Sequence, residues 1–163
     1  MPRAARVDGL DRRIVAALQR DGRRPFTSIG RELGISEAAV RQRVARLQAA
    51  GIMQVVAVAD PMALGHQAMA MVGISVDGRL RREVAEAVER LPEVSYLVLT
   101  AGSFDLLAEV VCQDNDHLLR LLSEDLAAIQ GVRRTEAFMY LRLLKEAYTW
   151  PVAREAEAPA DVG

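Results

Sequence analysis

The sequence predicts an α+β protein: an N-terminal helix-turn-helix domain, winged-helix-like, followed by a βαββαβ domain of the ferredoxin-like kind. Three observations carry that expectation. Residues 8 to 51 contain three short apolar stripes at helical spacing, the last two separated by a glycine turn. From about residue 67, strand-like and helix-like runs alternate in the order β, α, β, β, α, β. The charge is also divided. Residues 1 to 58 hold 11 arginines against 5 acidic residues, a net of +6, whereas residues 59 to 163 hold 10 basic against 17 acidic residues, a net of −7. The overall charge of −1 hides this division, which suggests nucleic-acid contact by the head alone.

In the first helix, Leu10, Ile14, Ala17 and Leu18 form the stripe, with Asp8 as N-cap, Asp11 three residues later, and Gly22 as the stop. A second helix covers about Thr27 to Leu33, starting either with Pro25 in its first turn or with Thr27 as cap. Gly30 within it suits close helix packing. Gly34 then supplies a turn and Ser36 caps a third helix, whose inner face is Val40, Val44 and Leu47. Its outer face shows Glu37, Ala38, Arg41, Gln42 and Ala45, with Arg43 and Arg46 towards the side. Small residues and long donors near a helix N-terminus suit a major-groove reader. Ser36, Glu37, Ala38, Arg41 and Gln42 are therefore candidate DNA contacts, with Arg41 and Gln42 as base readers. Arg43, Arg46, Arg23 and Arg24 are candidate phosphate contacts, which fix position without carrying sequence information.

Residues 51 to 60, "GIMQVVAVAD", read as a strand trailing the head, and Pro61 and Gly65 mark a linker. The expected organisation is a tail at 1–7, a DNA-binding domain at 8–59, a linker at 60–66, the βαββαβ domain at 67–148 and a flexible tail at 149–163. Within the body, strands are expected at about 68–76, 94–101, 105–112 and 132–144. The first helix, about 80–91, turns Leu80, Val84, Ala87, Val88 and Leu91 inward, and the second, about 115–130, turns Leu118, Leu119, Leu122, Leu126 and Ile129 inward. Thr135, Ala137, Met139 and Leu141 fall on one face of the last strand, and Glu136, Phe138 and Tyr140 on the other. Both helices should cover one face of the sheet. The other face keeps apolar residues such as Met69 and Met71, so a second copy packing there predicts a two-fold homodimer.

The stretch "AGSFD", Ala101 to Asp105, joins the two middle strands as a hairpin, with Gly102 expected at positive φ and Asp105 bonding back to turn amides. Cys112 lies in a strand-like run and reads as a small core residue. No run approaches 18 apolar residues and "MPRAARVDGLDRR" lacks the apolar stretch of a signal peptide, so the expectation is a cytoplasmic protein with no membrane contact. No Ser-His-Asp, CxxC, GxGxxG or phosphate-loop pattern is present, and two histidines with one cysteine make no metal site, so no cofactor and no enzymatic activity are expected.

Two motifs in order, "LDRRIVAALQRDGRRPFTSIGRELGISEAAVRQRVARLQAAGIM" and "AGSFD", resemble the Lrp/AsnC (feast/famine) family of transcriptional regulators over residues 8 to 148. The resemblance implies sequence-specific binding of double-stranded DNA, dimers assembled through the βαββαβ domains and commonly into octamers, and small-molecule effector pockets between subunits. On the family's Gly-x-(Phe/Tyr)-Asp pattern, Gly102, Phe104 and Asp105 are motif positions and Ser103 the variable one; Ala101 belongs to the same turn. An amino acid suits such a site, since hairpin amides can take a carboxylate and Asp105 or a neighbour an ammonium. Thr100 and Thr135 are added from position alone. Glu37 and Ala38 stand where many members carry Pro, Ser or Thr, so relatives' operator preferences do not transfer. Two alternatives use the same fold: an architectural DNA-binding protein without effector, and a tetrapyrrole decarboxylase relying on histidines, for which only His66 and His117 are present.

Overall fold

A computed structural model describes residues 7 to 146, so the two terminal tails read from the sequence lie, apart from Val7, outside the described residues. The chain divides between Ala57 and Val58, and the second compact unit runs to Leu144.

The head is three helices, α1 (Gly9–Arg20), α2 (Phe26–Leu33) and α3 (Glu37–Ala49). Asp8 and Asp11 form a reciprocal capping box at the start of α1, each carboxylate accepting the other's main-chain N–H. The stop is Asp21 in an extended conformation, and Gly22 has no positive φ, so the helix ends without the left-handed glycine expected there. Pro25 itself is the N-cap of α2, which settles the ambiguous start one residue before the expected range. Gly34 closes α2 at φ 70° and Ser36 Oγ caps α3 by accepting from the Ala39 N–H at 3.2 Å. At Gly30 a Cβ would sit 2.7 Å from the Ile35 carbonyl oxygen, so the helix-turn-helix corner closes this tightly only around glycine. Ile14, Ala17, Leu18, Ile29, Val40 and Val44 form the core, with Leu47 also buried.

Residues 51 to 60 form no strand. Ile52, Val55, Val56 and Val58 are exposed there, and the ladder that would define a strand has no partner among the described residues. β propensity alone does not satisfy main-chain groups.

The body is an antiparallel sheet ordered β2-β3-β1-β4, from β1 (Ala68–Val76), β2 (Val94–Leu99), β3 (Leu106–Cys112) and β4 (Val132–Met139). Helix α4 (Arg81–Val88) follows β1; α5 (Asn115–Arg120) and α6 (Leu126–Ala128), joined by a π-helical turn at Leu121–Asp125, follow β3. Ala70, Val72 and Ile74 of β1 and Leu106, Ala108 and Val110 of β3 pack under the helices with Val84, Val88, Leu118, Leu121 and Leu126. Cys112 is fully buried in the same core, and burial pushes its thiol pKa up. The opposite face is open and carries Met69, Met71, Gly73, Leu107, Glu109, Phe138 and Tyr96 at alternating register positions. Two expectations change. The last strand stops at Met139 rather than 144, because its partner β1 begins at Ala68 and only the Tyr140 N–H still reaches it, through the Met69 carbonyl. Leu119 is 63% exposed and Leu121 takes the inward place, because the π turn alters the helical phase.

Candidate DNA interface and effector hairpin

In the head, Glu37, Ala38, Arg41, Gln42 and Ala45 are exposed on one side of α3, and with Ser36 they line a shallow depression. Arg41 is doubly held: it forms an ion pair with Glu37 one turn earlier, and its guanidinium lies 5.5 Å from the centre of the Phe26 ring. Gln42 points outward beside it, as the helical spacing requires.

The flanking arginines behave otherwise. Arg43 donates to Asp8 at 2.6 Å and to Asp11 at 2.8 Å, and Arg46 also bonds Asp11. The Asp11 side chain is wholly buried. Burial alone would raise its pKa, but the Asp8 main-chain N–H and the two guanidiniums outweigh burial and bring it down to about 2. Asp8 is lowered as well, first by Arg43. In the isolated head, Arg43 and Arg46 therefore clamp α3 to α1, a role additional to the phosphate contacts expected from the sequence. Arg24 pairs with Glu32, while the main-chain N–H of Arg23 donates to Asp21 at 2.9 Å and its side chain is exposed. The partners of Arg43 and Arg46 lie 32 to 35 residues away on another helix. The one sequence signal for them was a second acid inside the first helix.

In the body, the turn from Thr100 to Asp105 is closed at its base. The Thr100 N–H donates to the Asp105 carbonyl at 2.9 Å, and its hydroxyl donates to the Phe104 carbonyl at 2.6 Å. Asp105 does not bond back to the turn amides. Its carboxylate accepts the Val76 N–H at 3.0 Å and an Arg81 guanidinium N–H at 2.9 Å, and its own N–H donates to the Ile74 carbonyl. These contacts, the Val76 N–H foremost, hold its pKa below the usual carboxylate range. The β1–β3 ladder ends at the Ile74–Leu106 pair, so Val76 lies beyond it and its N–H takes the Asp105 side chain as acceptor. Gly102 has no positive φ, since a connection of this length turns without it, and a Cβ there would meet nothing within 4 Å. Ala101, Gly102 and Ser103 are exposed, and among the described residues their main-chain N–H groups donate no hydrogen bond.

Phe104 folds onto the open face of the sheet. It occupies the notch left by Gly73, where a Cβ would lie 2.6 Å from the ring, and meets Phe138 edge to face with centroids 6.1 Å apart. Arg134 lies over the same ring at 5.9 Å. Thr135 pairs with Ile74 on the helix-covered side, so the structure separates it from Phe104 by the thickness of the sheet. Gly73, Phe138 and Arg134 were missed from the sequence because each joins the hairpin through sheet register, and Arg81 because it reaches Asp105 from the start of α4, 24 residues away. A groove of about 480 Å³ between α4 and β2 contains none of the predicted effector residues.

Residues 7–48 match the AsnC-type helix-turn-helix domain and residues 69–150 the Lrp/AsnC ligand binding domain. An uncharacterised HTH-type transcriptional regulator of Pyrococcus abyssi is 33% identical over 147 residues, which are 90% of this chain and 93% of the relative. The chain belongs to the Lrp/AsnC family. It is a transcriptional regulator with a DNA-binding head and a ligand-binding body, and not an enzyme. Among solved structures, the leucine response regulatory protein of Mycobacterium tuberculosis matches with TM-score 0.78 and 28% identity over 85% of this chain and 95% of its own. A Neisseria meningitidis regulator, solved as a complex with L-Met, shares the fold with TM-score 0.78 and 23% identity over 90% of this chain and 97% of its own. The histidines of the decarboxylase alternative are engaged locally or lie in the turn before β1: His117 bonds Glu93 at 3.0 Å, and His66 follows the 61–65 turn. No helix among the described residues is long and apolar enough to cross a membrane.

Proposed function

We propose that this Lrp/AsnC regulator senses an amino acid at the Thr100–Asp105 hairpin and converts its binding into a change in how paired heads meet DNA in the cytoplasm. The observation that carries the reading is the set of exposed N–H groups at Ala101, Gly102 and Ser103, held on a hairpin whose base is fixed by Thr100 and Asp105. Main-chain amides presented in this way take a carboxylate. Asp105 is the anchor of the turn in this reading, because its carboxylate already holds Val76 and Arg81. That the Neisseria regulator of the same fold was solved with L-Met supports the amino-acid class.

The open sheet face supports a homodimer through the bodies, and the family supports further assembly to an octamer. Two heads related by a two-fold axis would read half-sites about one helical turn, roughly 34 Å, apart. Arg41 and Gln42 are assigned to base edges, and Arg23 to phosphate. An effector shifts such a system only if it binds one assembly state more tightly, by about 1–3 kcal/mol in typical cases.

Thermal melts of the purified chain against the twenty amino acids, each repeated with Gly102→Val, test this. The expected outcome is one or a few stabilising ligands whose effect disappears in the variant. A flat panel in both proteins sinks the sensor reading and favours the architectural alternative.

A further inference from the structure

We propose that Glu37 and Arg41 act as one coupled reading head, propped by Phe26, that selects a guanine and the amino group of a cytosine within one base-pair step of each operator half-site. The inference rests on the reading that the outer face of α3 enters the major groove.

A carboxylate on a DNA-facing surface is unfavourable by default, because the phosphates are anionic. Glu37 nevertheless occupies the first turn of α3, among the residues lining its outer depression. Its charge is cancelled by Arg41 one turn later, so the pair contributes no net electrostatic grip. What the pair offers is a fixed pattern of donors and acceptors. Arg41 has five N–H groups and spends one NH2 group on Glu37 Oε1, leaving the rest of the fork available. Glu37 retains further lone pairs.

The major groove presents two kinds of amino donor, N4 of cytosine and N6 of adenine. Adenine N6 stands beside the N7 acceptor, which repels a carboxylate and suits an amide such as Gln42 instead. Cytosine N4 is therefore the match for Glu37. The remaining guanidinium N–H groups match guanine O6 and N7. Because the two charged heads touch, the bases they read must share a base pair or adjoin.

Phe26 supplies rigidity. Its ring, packed against the head core, lies under the guanidinium and restricts the conformers of a side chain that is otherwise 66% exposed. A stacked and tethered arginine loses less freedom when it meets a base. Ala38 and Ala45 keep the approach open on either side.

The test is selection of binding sites from a random duplex pool by the full chain, followed by gel-shift titration of selected and random duplexes. Wild type should select a G·C pair or adjoining G and C at one position of each half-site. Glu37→Ala should lose the cytosine preference there by about five- to a hundredfold, with affinity for random duplexes unchanged or increased. Phe26→Leu should blunt guanine preference, and Phe26→Tyr should restore it, with melting temperature checked for both. Glu37→Ala combined with Arg41→Ala should discriminate no worse than Arg41→Ala alone. If Arg41→Ala changes the selected site but Glu37→Ala leaves it intact, the coupled pair is refuted while the α3 reading stands. If neither Arg41→Ala nor Gln42→Ala alters binding to either duplex, the α3 reading falls, and this proposal with it.

Discussion

Replacing Asp11 with asparagine would keep its volume, remove its charge and leave Arg43 and Arg46 facing a neutral amide. The loss should be about 1.5–3 kcal/mol of head stability, since hydrogen bonds to charged groups are worth that much. Because the folded carboxylate titrates near 2 rather than at its ordinary 3.8, its contribution is fully present above about pH 3.8 and fades as the pH falls towards 2. Denaturant titrations from pH 7 to pH 2.5 should show wild type losing stability in that acid window more steeply than Asp11→Asn. Parallel curves would remove Asp11 from this role. Arg46→Ala should lower the melting temperature as well as weaken DNA binding, whereas Arg41→Ala should cost about 1–3 kcal/mol at the operator and leave the melt unchanged. On the body's open face, Tyr140 is pushed up to about 12 by burial and then by its hydrogen bond to Glu109, and it stays a donor at any physiological pH.

At the scale of elements, helices were legible and their phase was not always so. Regular apolar spacing located α1 to α4 within a few residues, because each buries one stripe against one neighbour. The helix after β3 departed from that rule. Leu121 and Leu126 both reach the core although five residues separate them, a spacing that a regular α-helix sends to different sides and a π turn brings together. Nothing in local sequence announces such an insertion. The hairpin was found by its motif, yet the reason for its glycine was misread. A short turn predicts positive φ at Gly102, whereas the glycine that the geometry demands is Gly73, 31 positions before Phe104. Gly73→Ala should displace the Phe104 ring and cost about 1–3 kcal/mol by overpacking. Gly102→Val should leave the melt of the unliganded chain unchanged, since its side chain would enter open space. Equal destabilisation by the two substitutions would contradict this division. The missing strand at 51–60 has a related cause: alternation and β-branched residues mark a segment ready to pair, but a ladder also requires a partner.

For the whole molecule, the charge division read from composition matches the division of labour. The arginine-rich unit is the DNA-binding head, and the acidic unit is the ligand-binding body. The count of 11 arginines overstates the free positive charge, because the clamp to Asp8 and Asp11 consumes part of it. The salt dependence of DNA binding should therefore be shallower than the arginine count suggests, and gel shifts between 50 and 200 mM salt would measure it. Asp11→Asn should steepen that slope, provided the head remains folded.

Phe104 also has a consequence for how the regulator responds to its own abundance. Its ring lies on the same uncovered side of the sheet as Met71 and Phe138, the surface that the proposed homodimer would cover. One aromatic group would then border both the metabolite and the neighbouring protomer. Reciprocity between linked equilibria requires that dilution, by separating protomers, loosens the hold on the metabolite to the same degree that the metabolite tightens the pair. A cell making few copies of this protein would, on that account, be less sensitive to the nutrient than one making many.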